Sequence, residues 1–271
     1  SLGTEVLAKI KEITQQIGKA LAIKGLLTVR FAIKHETVYV LEILPQVTFS
    51  APFVRKATGI DWISLATAAI VGDSIVDRVP PSVKSEYFAV KEAVFSYNRS
   101  PKKAIVLGPE KQATGMVMGL DPVFGIAFIK AQLAAGENIP SKGQVFLSIR
   151  NEDKRVFLGI ARQLIELGFK LTAPDDTADI LNRNGIPCET VYRPGEGRPN
   201  IIDKIKNKEI QWVINTPSEL SPKRDEEAVR IAARMRGIPV ITTVSGASAA
   251  VQGLQKYINE GLKLVPLYNH K

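Results

Sequence analysis

Three polar turns of this 271-residue chain carry the residues best suited to hold a ligand. They are Glu196-Gly197-Arg198-Pro199-Asn200, Asn215-Thr216-Pro217-Ser218, and Thr242-Thr243 with a glycine soon behind it. Each stands at the end of a strand pattern with a helical pattern to follow. That arrangement describes a ligand site at one rim of a parallel sheet. Other chemistries have little to build on. The two histidines, His35 and His270, fall in a turn and a tail, which argues against zinc or Ser-His-Asp chemistry. The single cysteine, Cys188, excludes an internal disulfide framework and fits a reducing cytosol.

The elements that must position these turns are legible in the apolar pattern. A helix is expected from Thr4 to about Ala22, where Leu7, Ile10, Ile13 and Ile17 recur at helical spacing. Runs over Leu26–Lys34 and Thr37–Leu44 read as a hairpin closed by Pro45. A three-residue turn, His35 to Thr37, would set Arg30 opposite Glu42. Asp61 caps a short helix that Gly72 stops. Residues 73–101 read as connection plus one strand, Tyr87–Phe95, and a helix follows from about Pro122 to Ala135. The stretch Gly136–Gly143 is the best domain boundary.

From Gln144 onward, strands alternate with helices. Strands are expected at Gln144–Arg150, Lys170–Ala173, Glu189–Tyr192, Trp212–Asn215 and Val240–Thr243. Helices are expected at Lys154–Leu167, Thr177–Asn184, Ile201–Lys206, Asp225–Arg236 and Ala247–Glu260. Repeated βα units argue for a three-layer α/β domain with a parallel sheet.

Net charge is +9, spread along the chain in short runs. We read it as a solvated basic surface, and nucleic acid is not expected as a partner. No apolar stretch approaches the roughly 18 residues of a membrane span.

In order along the chain, these residues resemble the carboxyl-terminal quarter of the large chain of carbamoyl-phosphate synthase. The resemblance rests on Pro52 to Gly59, Leu107-Gly108-Pro109-Glu110, Thr114-Gly115, Phe124, Ala127-Phe128 and Lys130 to Leu133. Glu196 to Asn200, Ile214 to Pro217 and Thr242-Thr243 continue it. The family makes carbamoyl phosphate from bicarbonate, glutamine-derived ammonia and ATP, for arginine and pyrimidine synthesis. The resemblance implies an α+β remnant of an ATP-grasp domain over residues 1–85, a connecting segment over 86–141, and a methylglyoxal-synthase-like regulatory domain over 142–271. It also implies a cytoplasmic protein whose partners are the remainder of the large chain and the glutaminase small chain.

ATP and magnesium serve the intact family, but no cofactor is expected for this chain alone. The family's metal pattern is a glutamine on one strand and Glu-x-Asn-Pro-Arg on the next. Here those positions read Arg30 and Glu42-Ile43-Leu44-Pro45-Gln46, so only Glu42 survives as a metal ligand. An arginine repels a cation, and leucine has no ligand atom. Arg30 either pairs with Glu42 where the metal would sit or points to solvent. Either way, magnesium–ATP is not expected to bind.

The family's regulatory domain binds a nucleotide monophosphate of the UMP or IMP class. The resemblance assigns the phosphate to Lys154, Thr177 and Arg193, which replaces a lysine, and assigns Asn215 to the nucleotide. Where the family has Thr-x-Gly-Thr, this chain reads Pro174-Asp175-Asp176-Thr177. Two carboxylates beside a phosphate oppose its binding unless they point away. Glu92 and Thr242 match ornithine contacts, whereas Val240 stands in place of a tyrosine. Arg198 is either a phosphate ligand or a buried arginine bridging loops.

The chain begins at serine and lacks the family's front half, which suggests a segment of something longer. A free-standing degenerate paralogue binding a phosphorylated metabolite is the alternative. A methylglyoxal-synthase-like lyase is a third reading, in which Asp175 or Asp176 could supply a base but no histidine is at hand.

Overall fold

A computed structural model describes residues 2–80, 86–95, 113–217 and 224–264. The motif Leu107–Glu110, the stretch Tyr97–Pro101, Ser218 and His270 lie outside these residues. The chain divides into two compact units, one within residues 1–85 and one within 86–263.

The first unit holds α1 (Thr4–Ala20), β1 (Thr28–Lys34), β2 (Thr37–Leu44), α2 (Ser50–Thr58) and α3 (Trp62–Val71). Asp61 caps α3 by accepting from the Ser64 N–H at 3.2 Å, and Gly72 ends it at φ 96°. The hairpin turn corrects the expectation. It has two residues, His35 and Glu36, both left-handed at φ 47° and 65°, so Lys34 pairs with Thr37. That register alone would set Arg30 opposite Leu41. A bulge then shifts the ladder between Arg30 and Phe31, leaving Leu41 extra and Glu42 opposite Arg30.

α2 was not expected from the sequence. Pro52 reads as a breaker, yet it is the third helical residue, where the helix's first turn has no N–H obligation to meet.

The second unit opens with an antiparallel hairpin of β3 (Phe88–Val94) and β4 (Gly115–Asp121). β4 also escaped the sequence reading, since its two glycines and two methionines carry little strand signal. Then come α4 (Phe124–Ala134), β5 (Gln144–Ser148), α5 (Asn151–Glu166), β6 (Lys170–Ala173), α6 (Asp175–Arg183) and β7 (Glu189–Thr190). α7 (Ile201–Lys206), β8 (Trp212–Asn215), α8 (Arg224–Met235), β9 (Val240–Ile241) and α9 (Val244–Glu260) complete it.

The sheet is parallel throughout, in the order β7-β6-β5-β8-β9. Side chains alternate across it. Val145, Leu147, Trp212 and Ile214 join the core made with α4, α5, α6 and α9. Phe146 and Val213 face the opposite core, made with α7 and α8. This is the expected three-layer α/β architecture. α4 reaches α9 closely: a Cβ on Gly253 would lie 2.1 Å from the Gly125 carbonyl oxygen.

The strand order reverses direction around β5. Chain flow from β5 passes to β6 and β7 on one side, then crosses to β8 and β9 on the other. The crevice between the carboxyl ends of β5 and β8 is therefore the place where such a sheet binds ligands.

Candidate functional site

Ser148 and Asn215 are paired across that switch point. Around them the polar residues of the three turns are largely engaged in structure. Asn200 forms a capping box at α7: its Oδ1 accepts from the Ile202 and Asp203 N–H groups, and Asp203 accepts from the Asn200 N–H at 3.1 Å. Thr216 Oγ1 accepts from the Arg150 N–H at 2.9 Å. Thr243 caps α9 through the Gly246 N–H at 3.1 Å. Arg198 is exposed and has no ion-pair partner among the described residues, so it is no buried bridge between loops.

The residues assigned to a phosphate do come together, around a carboxylate. α5 begins earlier than expected, which places Lys154 inside the helix, its side chain 7% exposed. Its Nζ donates to Asp176 Oδ2 at 2.9 Å and to the Asp176 carbonyl at 3.0 Å. Arg193, 17% exposed, donates to Asp176 Oδ1. α6 starts at Asp175, with Pro174 at its N-cap, so Asp176 and Thr177 occupy its first turn. Thr177 is buried. Asp175 is exposed and accepts from the Asp176 N–H at 2.8 Å. The two carboxylates therefore divide: one points out, and the other turns onto the cations. Partial burial pushes the Asp176 carboxyl up, but the Lys154 hydrogen bond and the Arg193 charge outweigh it and hold the group below its ordinary range.

Asn215 is fully buried and held in place. Its Oδ1 accepts from Arg230 Nη1 at 2.5 Å. The crevice that Asn215 and Arg193 share with Ser148, Pro174, Asp225 and Glu226 has a volume of only about 10 Å³. That is room for about one water molecule.

A larger cavity of about 290 Å³ lies beside β3 and α8. Glu92, Val240 and Thr242 all line it. Arg230 and Arg234, which the sequence reading missed, also line it, and Arg234 is paired with Glu137. Their four-residue spacing on one helix, beside the buried Val229 and Ala233, was the available signal. Burial and the nearby Glu137 charge raise the Glu92 carboxyl against the opposing hydrogen bond from Gln132.

In the first unit, Arg30 Nη1 lies 2.9 Å from Glu42 Oε2, with side chains 68% and 40% exposed. Glu42 Oε2 receives no aligned hydrogen bond, so the contact is one of charge. A guanidinium in that place and a leucine at position 44 do not fit a magnesium ion. Among the described residues no group of three or more His, Cys, Asp or Glu side chains is arranged to hold a metal. Burial pushes the Cys188 thiol up to about 12, helped by the Glu189 charge, so it offers no thiolate nucleophile. Among the described residues no helix is long and apolar enough to cross a membrane.

A family model of the MGS-like domain matches residues 157–242, which hold β6 to β9 of this sheet and the helices between those strands. That span holds Thr177, Arg193, Asn215 and Thr242, while Lys154 lies three residues before it. Along nearly its whole length the chain also resembles carbamoyl phosphate synthase large chains. It is 39% identical over 98% of its length to that of Acidobacterium capsulatum. The identity is 41% over 94% for Archaeoglobus fulgidus and 42% over 95% for Haemophilus ducreyi. The chain spans about a quarter of the length of these relatives. It therefore matches the carboxyl-terminal portion of the carbamoyl phosphate synthase large chain.

Proposed function

We propose that this chain acts as the regulatory and structural carboxyl-terminal segment of an enzyme that forms carbamoyl phosphate from bicarbonate, glutamine-derived ammonia and ATP. Its partners on this reading are the remainder of the large chain and the glutaminase small chain. The observation that carries it is similarity along the whole chain, across both units, rather than within the MGS-like domain alone. The segment is not catalytic by itself: Arg30 beside Glu42 replaces a magnesium site, and magnesium–ATP does not bind there.

On the same reading, Lys154, Thr177, Arg193 and Asn215 form the effector site for a nucleotide monophosphate. Glu92 and Thr242 belong to an amino-acid site of the ornithine type. Arg230 and Arg234 would disfavour the side-chain ammonium of ornithine there, as Val240 in place of a tyrosine also does.

Reconstitution tests the reading. The purified chain is mixed with the remaining large chain and the glutaminase, and carbamoyl phosphate formation is followed by its capture with ornithine transcarbamoylase. The expected result is stable association, activity in the mixture and none in the chain alone. Turnover or tight magnesium–ATP binding by the isolated chain overturns the reading, as does a failure to associate.

A further inference from the structure

Lys154 and Arg193 are two cations with little access to water, converging on the first turn of a helix at the end of a parallel strand. Two cations and a threonine at the positive end of a helix make a donor set suited to a phosphate. In this chain that donor set is already in use. Asp176 accepts from Lys154 with one carboxylate oxygen and from Arg193 with the other. Arg193 has only a distant second acid, its Nε lying 3.8 Å from Glu196. The adjoining crevice, lined by Arg193 and Asn215, has a volume of about 10 Å³. A carboxylate tethered to the backbone thus holds the position that an oxyanion ligand needs.

We infer that Asp176 is a built-in surrogate for the effector's phosphate, and that a phosphate binds only by displacing it from Lys154 and Arg193. The inference rests on reading this crevice as the regulatory site and adds how that site is controlled. Binding becomes an exchange of one anion for another. A ligand with a single carboxylate gains nothing over Asp176, which is tethered at high effective concentration. A phosphate brings more charge and a third acceptor oxygen, so it can prevail once concentrated enough. Apparent affinity is then set by the fraction of molecules in which Asp176 has swung out.

The test is calorimetric titration of the full chain with inorganic phosphate and with UMP. Wild type is compared with Asp176→Asn, Asp176→Thr, and Asp176→Asn combined with Arg193→Ala. If the released state is populated at about 10% or less, Asp176→Asn binds phosphate at least about tenfold more tightly than wild type. Arg193→Ala removes that gain. Melting curves establish that each variant is folded, and Asp176→Thr stands in if the asparagine variant is not. Carboxyl carbon NMR of the wild type gives a second readout that needs no variant at position 176: the Asp176 signal moves when phosphate binds. Equal affinities in wild type and the Asp176 variants overturn the inference, whether binding is tight or undetectable, as does phosphate binding with the signal unmoved. A chain that joins the rest of the large chain but shows no gain defeats this inference alone. A chain that shows the gain but does not associate defeats the proposed function instead.

Discussion

The hairpin of the first unit and the crevice of the second each set charges of opposite sign against one another, in opposite order. In the hairpin, a cation, Arg30, sits against the Glu42 carboxylate. In the second unit, an anion, Asp176, sits between Lys154 and Arg193. The difference lies in solvent. Arg30 is 68% exposed, so water screens the cation although Glu42 Oε2 is itself buried, and the contact adds little stability. Lys154 is 7% exposed, so its charge cannot be left without a partner at small cost. The first pair is therefore one that water weakens, whereas the second supplies a buried cation with the partner it needs.

Selective loss of charge tests that contrast, and each unit has its own reporter, Trp62 in the first and Trp212 in the second. The largest effect is expected for Lys154→Met in a Trp62→Phe background. Urea unfolding followed at Trp212 should show a loss of about 2 kcal/mol, the half-exposure of Asp176 reducing the figure for a fully buried pair. Acid titration comes next. The Asp176 carboxyl is held below its ordinary value of 3.8, so its contribution is complete above that pH and is lost as pH falls through the lower folded value. Asp176→Asn should flatten that part of the stability profile, and an unchanged acid limb would show that the carboxylate is not paired in solution. Glu36→Gly should stabilise the first unit by about 0.5–1 kcal/mol, since a two-residue turn with both φ angles positive favours glycine. The smallest effect is expected for Arg30→Met, within about 0.5 kcal/mol. A loss there comparable to that of Lys154→Met would erase the distinction between the two regions.

The sheet was largely legible because its strands are short apolar runs bounded by turn residues and helices of clear period, as around Val145–Leu147 and Trp212–Ile214. What escaped was structure specified by distant partners. β4 is a strand because β3 pairs with it, and its Gly119 is there because a Cβ would lie 1.9 Å from the Ala127 carbonyl oxygen of α4. The pairing of Arg30 with Glu42 was reached from a three-residue turn, whereas the chain uses a two-residue turn and a bulge at Leu41 that restores the same register. In the crevice, sequence gave the residue types but not their directions. Nothing in Pro174-Asp175-Asp176-Thr177 says which aspartate turns inward. That choice follows from where α6 begins and from where Lys154, twenty-two residues earlier, emerges from α5. Asn215 was assigned to a ligand, and its engagement by Arg230 became visible only once α8 was folded over β8.

The crossing of α4 and α9 has a mechanical meaning. Gly125 and Gly253 put backbone against backbone, with no side chain between them to bend or change rotamer. α4 also rests on the β3–β4 hairpin through Gly119. Hairpin, α4 and α9 are thus joined by contacts that cannot be compressed. Glu92 of the hairpin and Thr242, just before the amino end of α9, line the same 290 Å³ cavity. The cavity is thus bounded by elements that pack backbone to backbone, an arrangement with no room for a larger residue at either glycine.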